Sequence, residues 1–254
     1  MKTPIPFIFL ITLTSALAAH AALVPAPDDQ EEPSVAANGN GTFVVWADKR
    51  NYNSTEYDIY GSRVSSAGEV LDPGGIAICT DPGRQTSPRV AFDGERYLVV
   101  WEDDRESTAE FQLYQIYGAR VGISGQVLDP NGFKITTNRV ARLGPAVVSN
   151  GRGFFVAWED WHRTEGVISD VYGSPVSSDG VVANLDGIPL VLGAGWQVQP
   201  RLAFANGEYL MTYRDNGPSG GPDIWGIRVS IAGQTISSAF RISNSNDESG
   251  GRYG

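Results

Sequence analysis

Four times along the chain an apolar run follows a turn signal and stops at an aspartate. The runs are Phe43-Val44-Val45-Trp46, Tyr97-Leu98-Val99-Val100-Trp101, Phe154-Phe155-Val156-Ala157-Trp158 and Tyr209-Leu210-Met211-Thr212-Tyr213, and they end at Asp48, Asp103, Asp160 and Asp215. Near-continuous apolar runs of this length predict strands covered on both faces. Each run is preceded by Asn38-Gly39, Asp93-Gly94, Asn150-Gly151 or Asn206-Gly207. These pairs accept the positive φ angles of a primed hairpin turn. The short apolar stretches before them, Ser34-Val35-Ala36, Arg89-Val90-Ala91, Ala146-Val147-Val148 and Arg201-Leu202-Ala203, are therefore expected to pair antiparallel with the runs.

A third strand follows a polar loop of variable length. It reads Asp58-Ile59-Tyr60-Gly61, Gln115-Ile116-Tyr117-Gly118, Asp170-Val171-Tyr172-Gly173 and Asp223-Ile224-Trp225-Gly226. Glycine inside a strand is costly, so four at one register predict close backbone approach or a bulge, with an aromatic ring over the glycine as one cause. A shorter fourth strand alternates, with Ile76 and Ile78, Phe133 and Ile135, Ile188 and Leu190, and Phe240 and Ile242.

Pro33, Pro88, Pro145 and Pro200 open these units, at spacings of 55, 57 and 55 residues. Four antiparallel strands repeated with one register of Trp, Asp and Gly fit a radial array of blades better than a sandwich or a β-solenoid. The expected fold is all-β: a β-propeller of four-stranded antiparallel blades, at about 33–87, 88–144, 145–199 and 200–254, after a leader at 1–21 and a linker at 22–32. Two readings of the fourfold repeat stay open, a four-bladed ring and part of a propeller with more blades.

Lys2, the apolar stretch Ile5 to Ala18 and the small-x-small Ala19-His20-Ala21 read as a secretory signal. The expected location is thus secreted, periplasmic or at the cell surface, with no transmembrane segment because the apolar stretch is too short. A net charge of −10 argues against nucleic acid as a partner. Carbohydrate or protein at the cell surface fits better. Cys79 is the single cysteine and reads as a small buried hydrophobe, with no internal disulfide.

The pattern Pro-x-Val-Ala-x-x-Gly, then Val-Val-Trp-x-Asp-x-Arg, then Asp-Ile-Tyr-Gly-x-Arg-Val resembles the repeats of large secreted bacterial β-propeller proteins. It is also similar in layout to the propeller of the Tol periplasmic translocation protein. The resemblance spans roughly residues 33–243 and implies a fold; it implies no particular activity. The sialidase-type Asp-box is echoed once and imperfectly, at Asn38-Gly39-Asn40-Gly41-Thr42-Phe43.

In a four-strand meander the loops between strands two and three share one end, the upper face, with the linkers between blades. Sites are grafted on such loops. Residues repeated in every blade read as architecture: the aspartates are expected to pair with Arg50, Arg105, Arg163 and Arg214. Residues that break the repeat are the binding candidates. They are Trp161, His162 and Asp160 in the third blade, Trp196 in its outgoing linker, and Arg89 and Arg201 where innermost strands begin. Aromatic planes beside carboxylates and arginine hold sugar rings or peptides. No calcium-loop motif is present, and neither a metal nor a cofactor is expected. The main expectation is a non-catalytic recognition or scaffold module. The alternative is a carbohydrate-active glycoside hydrolase of propeller fold, with paired carboxylates drawn from Glu102, Asp103, Glu159 and Asp160.

Overall fold

The computed structural model describes residues 28–137, 140–163, 167–217 and 222–243. The expected leader (1–21), most of the linker and residues 244–254 lie outside this range. Sixteen strands and one four-residue helix, α1 (Tyr52–Thr55), make up the described elements. Blade 1 contains β1 (Gln30–Ala37), β2 (Gly41–Asp48), β3 (Asp58–Ser65) and β4 (Ile76–Cys79). Blade 2 contains β5 (Gln85–Phe92), β6 (Arg96–Asp103), β7 (Gln115–Gly122) and β8 (Phe133–Lys134). Blade 3 contains β9 (Ala141–Ser149), β10 (Gly153–Arg163), β11 (Val167–Ser177) and β12 (Ile188–Val191). Blade 4 contains β13 (Gln197–Ala205), β14 (Glu208–Asp215), β15 (Asp223–Ser230) and β16 (Phe240–Arg241). Each blade is a four-stranded antiparallel meander in sequence order.

The apolar runs explain how the blades stack. Alternate residues of the second strand point to opposite faces. In β6, Tyr97, Val99 and Trp101 pack on Phe43, Val45, Ile59 and Ile78 of blade 1. Leu98 and Val100 pack with Ile116 and Ile135 against Phe154, Val156 and Trp158 of blade 3. Phe155, Ala157, Val171 and Leu190 then meet Tyr209, Met211 and Tyr213 of blade 4. A run apolar on both faces is what a sheet buried between two neighbours requires.

The strand glycines are explained by close approach. A Cβ on Gly61 would lie 2.6 Å from Phe43 Cζ, and one on Gly173 would lie 2.8 Å from Phe155 Cζ. In blades 1 and 3 an aromatic ring of the second strand lies over the glycine; in blade 2 the neighbour is Ile135, just after β8, at 3.2 Å, and in blade 4 it is Phe240 of the fourth strand, at 2.7 Å.

The repeated aspartates are architectural. Asp48 accepts the Trp46 indole N–H at 2.8 Å and the Arg50 backbone N–H and Nε, each at 2.9 Å. Asp103 repeats this with Trp101 at 2.8 Å and with Arg105. Burial pushes the Asp48 carboxyl up, but these hydrogen bonds outweigh it and hold the group below its usual value. In blade 3 the Arg163 side chain lies outside the described residues. Asp160 is buried and receives Arg142 Nε of β9 at 2.9 Å, where the other blades carry Gln30, Gln85 and Gln197. Asp215 of blade 4 takes a hydrogen bond from Gln197 Nε2 at 3.2 Å, so Arg214 is not the partner the repeat suggests. Cys79 is buried, and burial pushes its thiol up to about 12, as befits a small core residue.

Two details depart from the sequence reading. The innermost strands begin three or four residues before Pro33, Pro88, Pro145 and Pro200. The proline sits within the strand because a bulge there removes the ladder hydrogen bond it could not make. Residues 161–169, expected as a loop, are mostly strand: β10 runs to Arg163 and β11 starts at Val167, with Trp161 opposite Ser169 and His162 opposite Ile168.

Candidate functional site

Bulges in the innermost strands gather candidate side chains at the upper ends of the blades. The residue before each proline is left-handed: Glu32 (φ 55°), Ser87 (φ 55°), Gly144 (φ 59°) and Gln199 (φ 57°). The register of the innermost strand shifts at that point in every blade. A left-handed bulge turns its backbone N–H out of the ladder, and in three blades a glutamate accepts it. Glu32 Oε2 accepts the Ser87 N–H at 2.6 Å, Glu102 Oε1 accepts the Gly144 N–H at 2.8 Å, and Glu159 Oε1 accepts the Gln199 N–H at 2.8 Å. Each bond crosses from one blade to the next.

Glu102 and Glu159 converge on one residue. Glu102 holds the Gly144 N–H, and a Cβ on Gly144 would lie 2.6 Å from Glu159 Oε1. Only glycine leaves room for both carboxylates there. Burial is the largest influence on Glu102 and raises its carboxyl above the usual 4.5; the charges of Glu32 and Glu159 raise it further, against hydrogen bonds from Gly144 and Ser87. Glu32 is exposed. Arg89 of blade 2 lies near Glu32, Glu102 and Arg201 of blade 4. Each guanidinium donates to the carbonyl of its preceding proline at 2.8 Å. Burial, and then the charge of Arg201, pull Arg89 below its ordinary value, while Glu32 and Glu102 act the other way.

The structure brings Trp161 and Trp196 together, with ring centroids 6.0 Å apart. The Trp161 indole N–H donates to Glu159 Oε2 at 2.9 Å. Trp161 is half-buried and Trp196 is exposed. The aromatic pair is thus tied directly to the carboxylate cluster. Of the other candidates, Asp160 faces inward to Arg142, and His162 lies on β10 with its side chain outside the described residues. Glu32 is the member the sequence reading missed. Its signal was an acid directly before the blade-opening proline.

A separate recess of about 310 Å³ lies on blade 1, lined by Asp28, Asp29, Lys49, Tyr52, Asn53 and Tyr57. The Tyr57 ring is held between Lys49 and Arg84. Among the described residues no group of three or more His, Cys, Asp or Glu side chains is arranged to hold a metal ion, and no helix is long and apolar enough to cross a membrane.

No family profile and no curated protein matches the chain. Solved structures do match its architecture. A thermostable family-43 glycoside hydrolase is similar over 85% of this chain and 72% of its own, with a TM-score of 0.52 and 12% identity. An α-L-arabinofuranosidase from Lactobacillus brevis matches over 85% and 74%, with a TM-score of 0.52 and 11% identity. An endo-arabinase from Bacteroides thetaiotaomicron matches over 86% and 83%, with a TM-score of 0.51 and 11% identity. At this identity the likeness is one of fold. It corrects the expectation of a non-catalytic recognition or scaffold module: these three solved chains are named as a glycoside hydrolase, an arabinofuranosidase and an endo-arabinase, so the fold offers no reason to set catalysis aside. All-β architecture, antiparallel four-stranded blades and structural neighbours together make this chain a β-propeller.

Proposed function

We propose that the chain is an exported, carbohydrate-active propeller, a glycoside hydrolase whose acid–base pair lies at the upper ends of the blades. One observation carries the reading: Glu102 is raised by burial beside two further carboxylates, Glu32 and Glu159, with Glu159 meeting it at Gly144. Two carboxylates in unlike environments can take unlike roles. Glu102, raised and half-buried, gives its proton to the glycosidic oxygen as the bond from the anomeric carbon to that oxygen breaks. The exposed Glu32 takes the proton of the water that adds to the anomeric carbon. Arg89 and Arg201 donate to sugar hydroxyls, and the Trp161–Trp196 pair offers a stacking surface for the ring of a neighbouring sugar. The likeness to arabinose-releasing and arabinan-cleaving proteins makes arabinofuranosides and arabinan the first substrates to try.

The mature chain is expected to release sugar from nitrophenyl arabinofuranoside, nitrophenyl xyloside or linear arabinan. Glu102→Gln should lower kcat by about 10²–10⁴-fold with little change in KM. Gln can still accept the Gly144 N–H, so thermal stability should be nearly unchanged. Absence of turnover by the unmodified chain on all three substrates, or full turnover by Glu102→Gln, overturns the proposal.

The raised Glu102 carboxyl also predicts a pH dependence of stability. The folded state holds this proton to higher pH than the unfolded chain does. The stability that Glu102 contributes is therefore fully present below the ordinary value of 4.5 and is lost as pH rises through the folded value. Measured by urea unfolding, the stability of the chain relative to Glu102→Gln should fall as pH rises over that window. Parallel slopes would mean that Glu102 is not raised.

A further inference from the structure

The described blades leave one face without its partner. At each junction the same register positions of one blade are covered by the innermost strand pair of the next. Phe43, Leu98 and Phe155 are each 0% exposed, but the equivalent Leu210 of blade 4 is 40% exposed. Ile59, Ile116 and Val171 are 0% exposed, and the equivalent Ile224 is 40% exposed. Ile78, Ile135 and Leu190 are 1%, 0% and 5% exposed, and Ile242 is 53% exposed. Blade 4 has thus kept the apolar face that receives a following blade. The opposite side of the gap shows the complementary loss. Val90 is 7% exposed on the inner strand of blade 2, whereas its equivalent Val35 on β1 is 61% exposed. The interblade cores run from blade 1 to blade 4 and do not recur between blade 4 and blade 1 among the described residues. Contiguous exposed apolar surface of this kind marks an interaction site.

We infer that the face formed by Leu210, Ile224 and Ile242 docks one further blade of this same repeat, contributed by polypeptide outside residues 28–243. The three existing junctions define what the occupant must offer. The first is an apolar pair equivalent to Val90 and Tyr97, which cover blade 1. The second is a proline-opened innermost strand with a left-handed bulge. Polar complementarity narrows it further. In blades 2 and 3 the residue between Trp and Asp is Glu102 or Glu159, which accepts the next bulge N–H. In blade 4 that residue is Arg214, a donor only. The occupant should therefore carry an acid before its proline, as blade 1 does at Glu32. Its own Trp-x-Asp strand should carry a glutamate to accept the Glu32 N–H. The size fits as well: the solved propellers that share this fold are covered over 72–83% of their length, which leaves them a share of chain comparable to one blade.

The test uses a reporter on the face. Cys79 is buried, so Leu210→Cys places a single thiol where labelling is selective. The 254-residue chain with this change is expected to react with an aromatic disulfide reagent at the rate of an open thiol. A second chain adds, after residue 254, a glutamate and a further copy of residues 88–144. Its introduced thiol should react at least tenfold more slowly, and its thermal midpoint should rise. A third chain appends residues 145–199 in place of 88–144, so that a poorly folding fusion does not decide the matter. Equal labelling in all three chains overturns the inference. So does an introduced thiol already protected in the 254-residue chain: as a monomer that would show blade 4 closing on blade 1, and as a dimer it would show a second copy on the face.

Discussion

Replacing Arg142 with methionine should lower stability by about 3–5 kcal/mol, because the buried Asp160 carboxylate then loses a buried cationic partner. For a domain of this size that is a fall of roughly 6–20 °C in Tm. Arg142 and Asp160 are exposed by only 1% and 2% of their side chains, and Nε to Oδ2 is 2.9 Å. Arg142 also lies 5.9 Å from the Trp158 ring centroid. Arg142→Gln should cost less. Gln197 shows that an amide at this register can reach the aspartate of its own blade, although a neutral amide does not balance the charge. The double change Arg142→Met with Asp160→Asn should recover part of the loss, since the buried charge then goes with its partner. Thermal or urea unfolding of the three variants checks this. A loss within 0.5 kcal/mol for Arg142→Met would show the pair to be energetically idle.

This pair also shows where the sequence was opaque. The repeat was legible because strand pairing, hairpin turns and interblade burial all act through residue type: an apolar run, an Asn-Gly or Asp-Gly, a Trp two positions before an Asp. The fold follows from those. Arg142 stood in a stretch that looked like a linker, because the strand around it begins before the proline that marks the repeat. The bulges were hidden for a related reason. Their left-handed residues are Glu32, Ser87, Gly144 and Gln199, and only glycine advertises positive φ in a sequence. The carboxylate cluster depends on those bulges. Glu102 and Glu159 were visible as unlike neighbours of the repeated aspartates, but their meeting at Gly144 was not. Trp161 and Trp196, 35 residues apart in the sequence, were legible as a pair because both interrupt the repeat at the same end of the same blade.

A second large loss is expected from Gly132→Ala. Gly132 closes the turn Asp129-Pro130-Asn131-Gly132, in which its N–H donates to Asp129 O at 3.0 Å. Asn131 and Gly132 have φ of 63° and 78°. A Cβ on Gly132 would sit 2.4 Å from Trp101 Cη2, 2.7 Å from Cζ2 and 3.0 Å from Gly118 O. Trp101 is fully buried in the core between blades 1 and 2 and cannot swing away. The left-handed backbone costs about 1–2 kcal/mol for a residue with a Cβ, and overpacking the tryptophan adds about 1–3 kcal/mol. The total, about 2–5 kcal/mol, separates into its parts with one control. Gly68 has φ 83° with nothing within 4 Å of its missing Cβ, so Gly68→Ala should show the backbone cost alone. The chain contains its own compensation experiment. Gly75 and Gly187 face Trp46 and Trp158 in the same way, whereas blade 4 carries Ala239 at this register and the smaller Tyr213 in place of tryptophan. Adding Trp101→Tyr to Gly132→Ala should therefore cost less than the sum of the two single changes, by about 1 kcal/mol or more in a double-mutant cycle. Strict additivity would mean that the turn glycine answers to its backbone angle and not to the tryptophan beneath it.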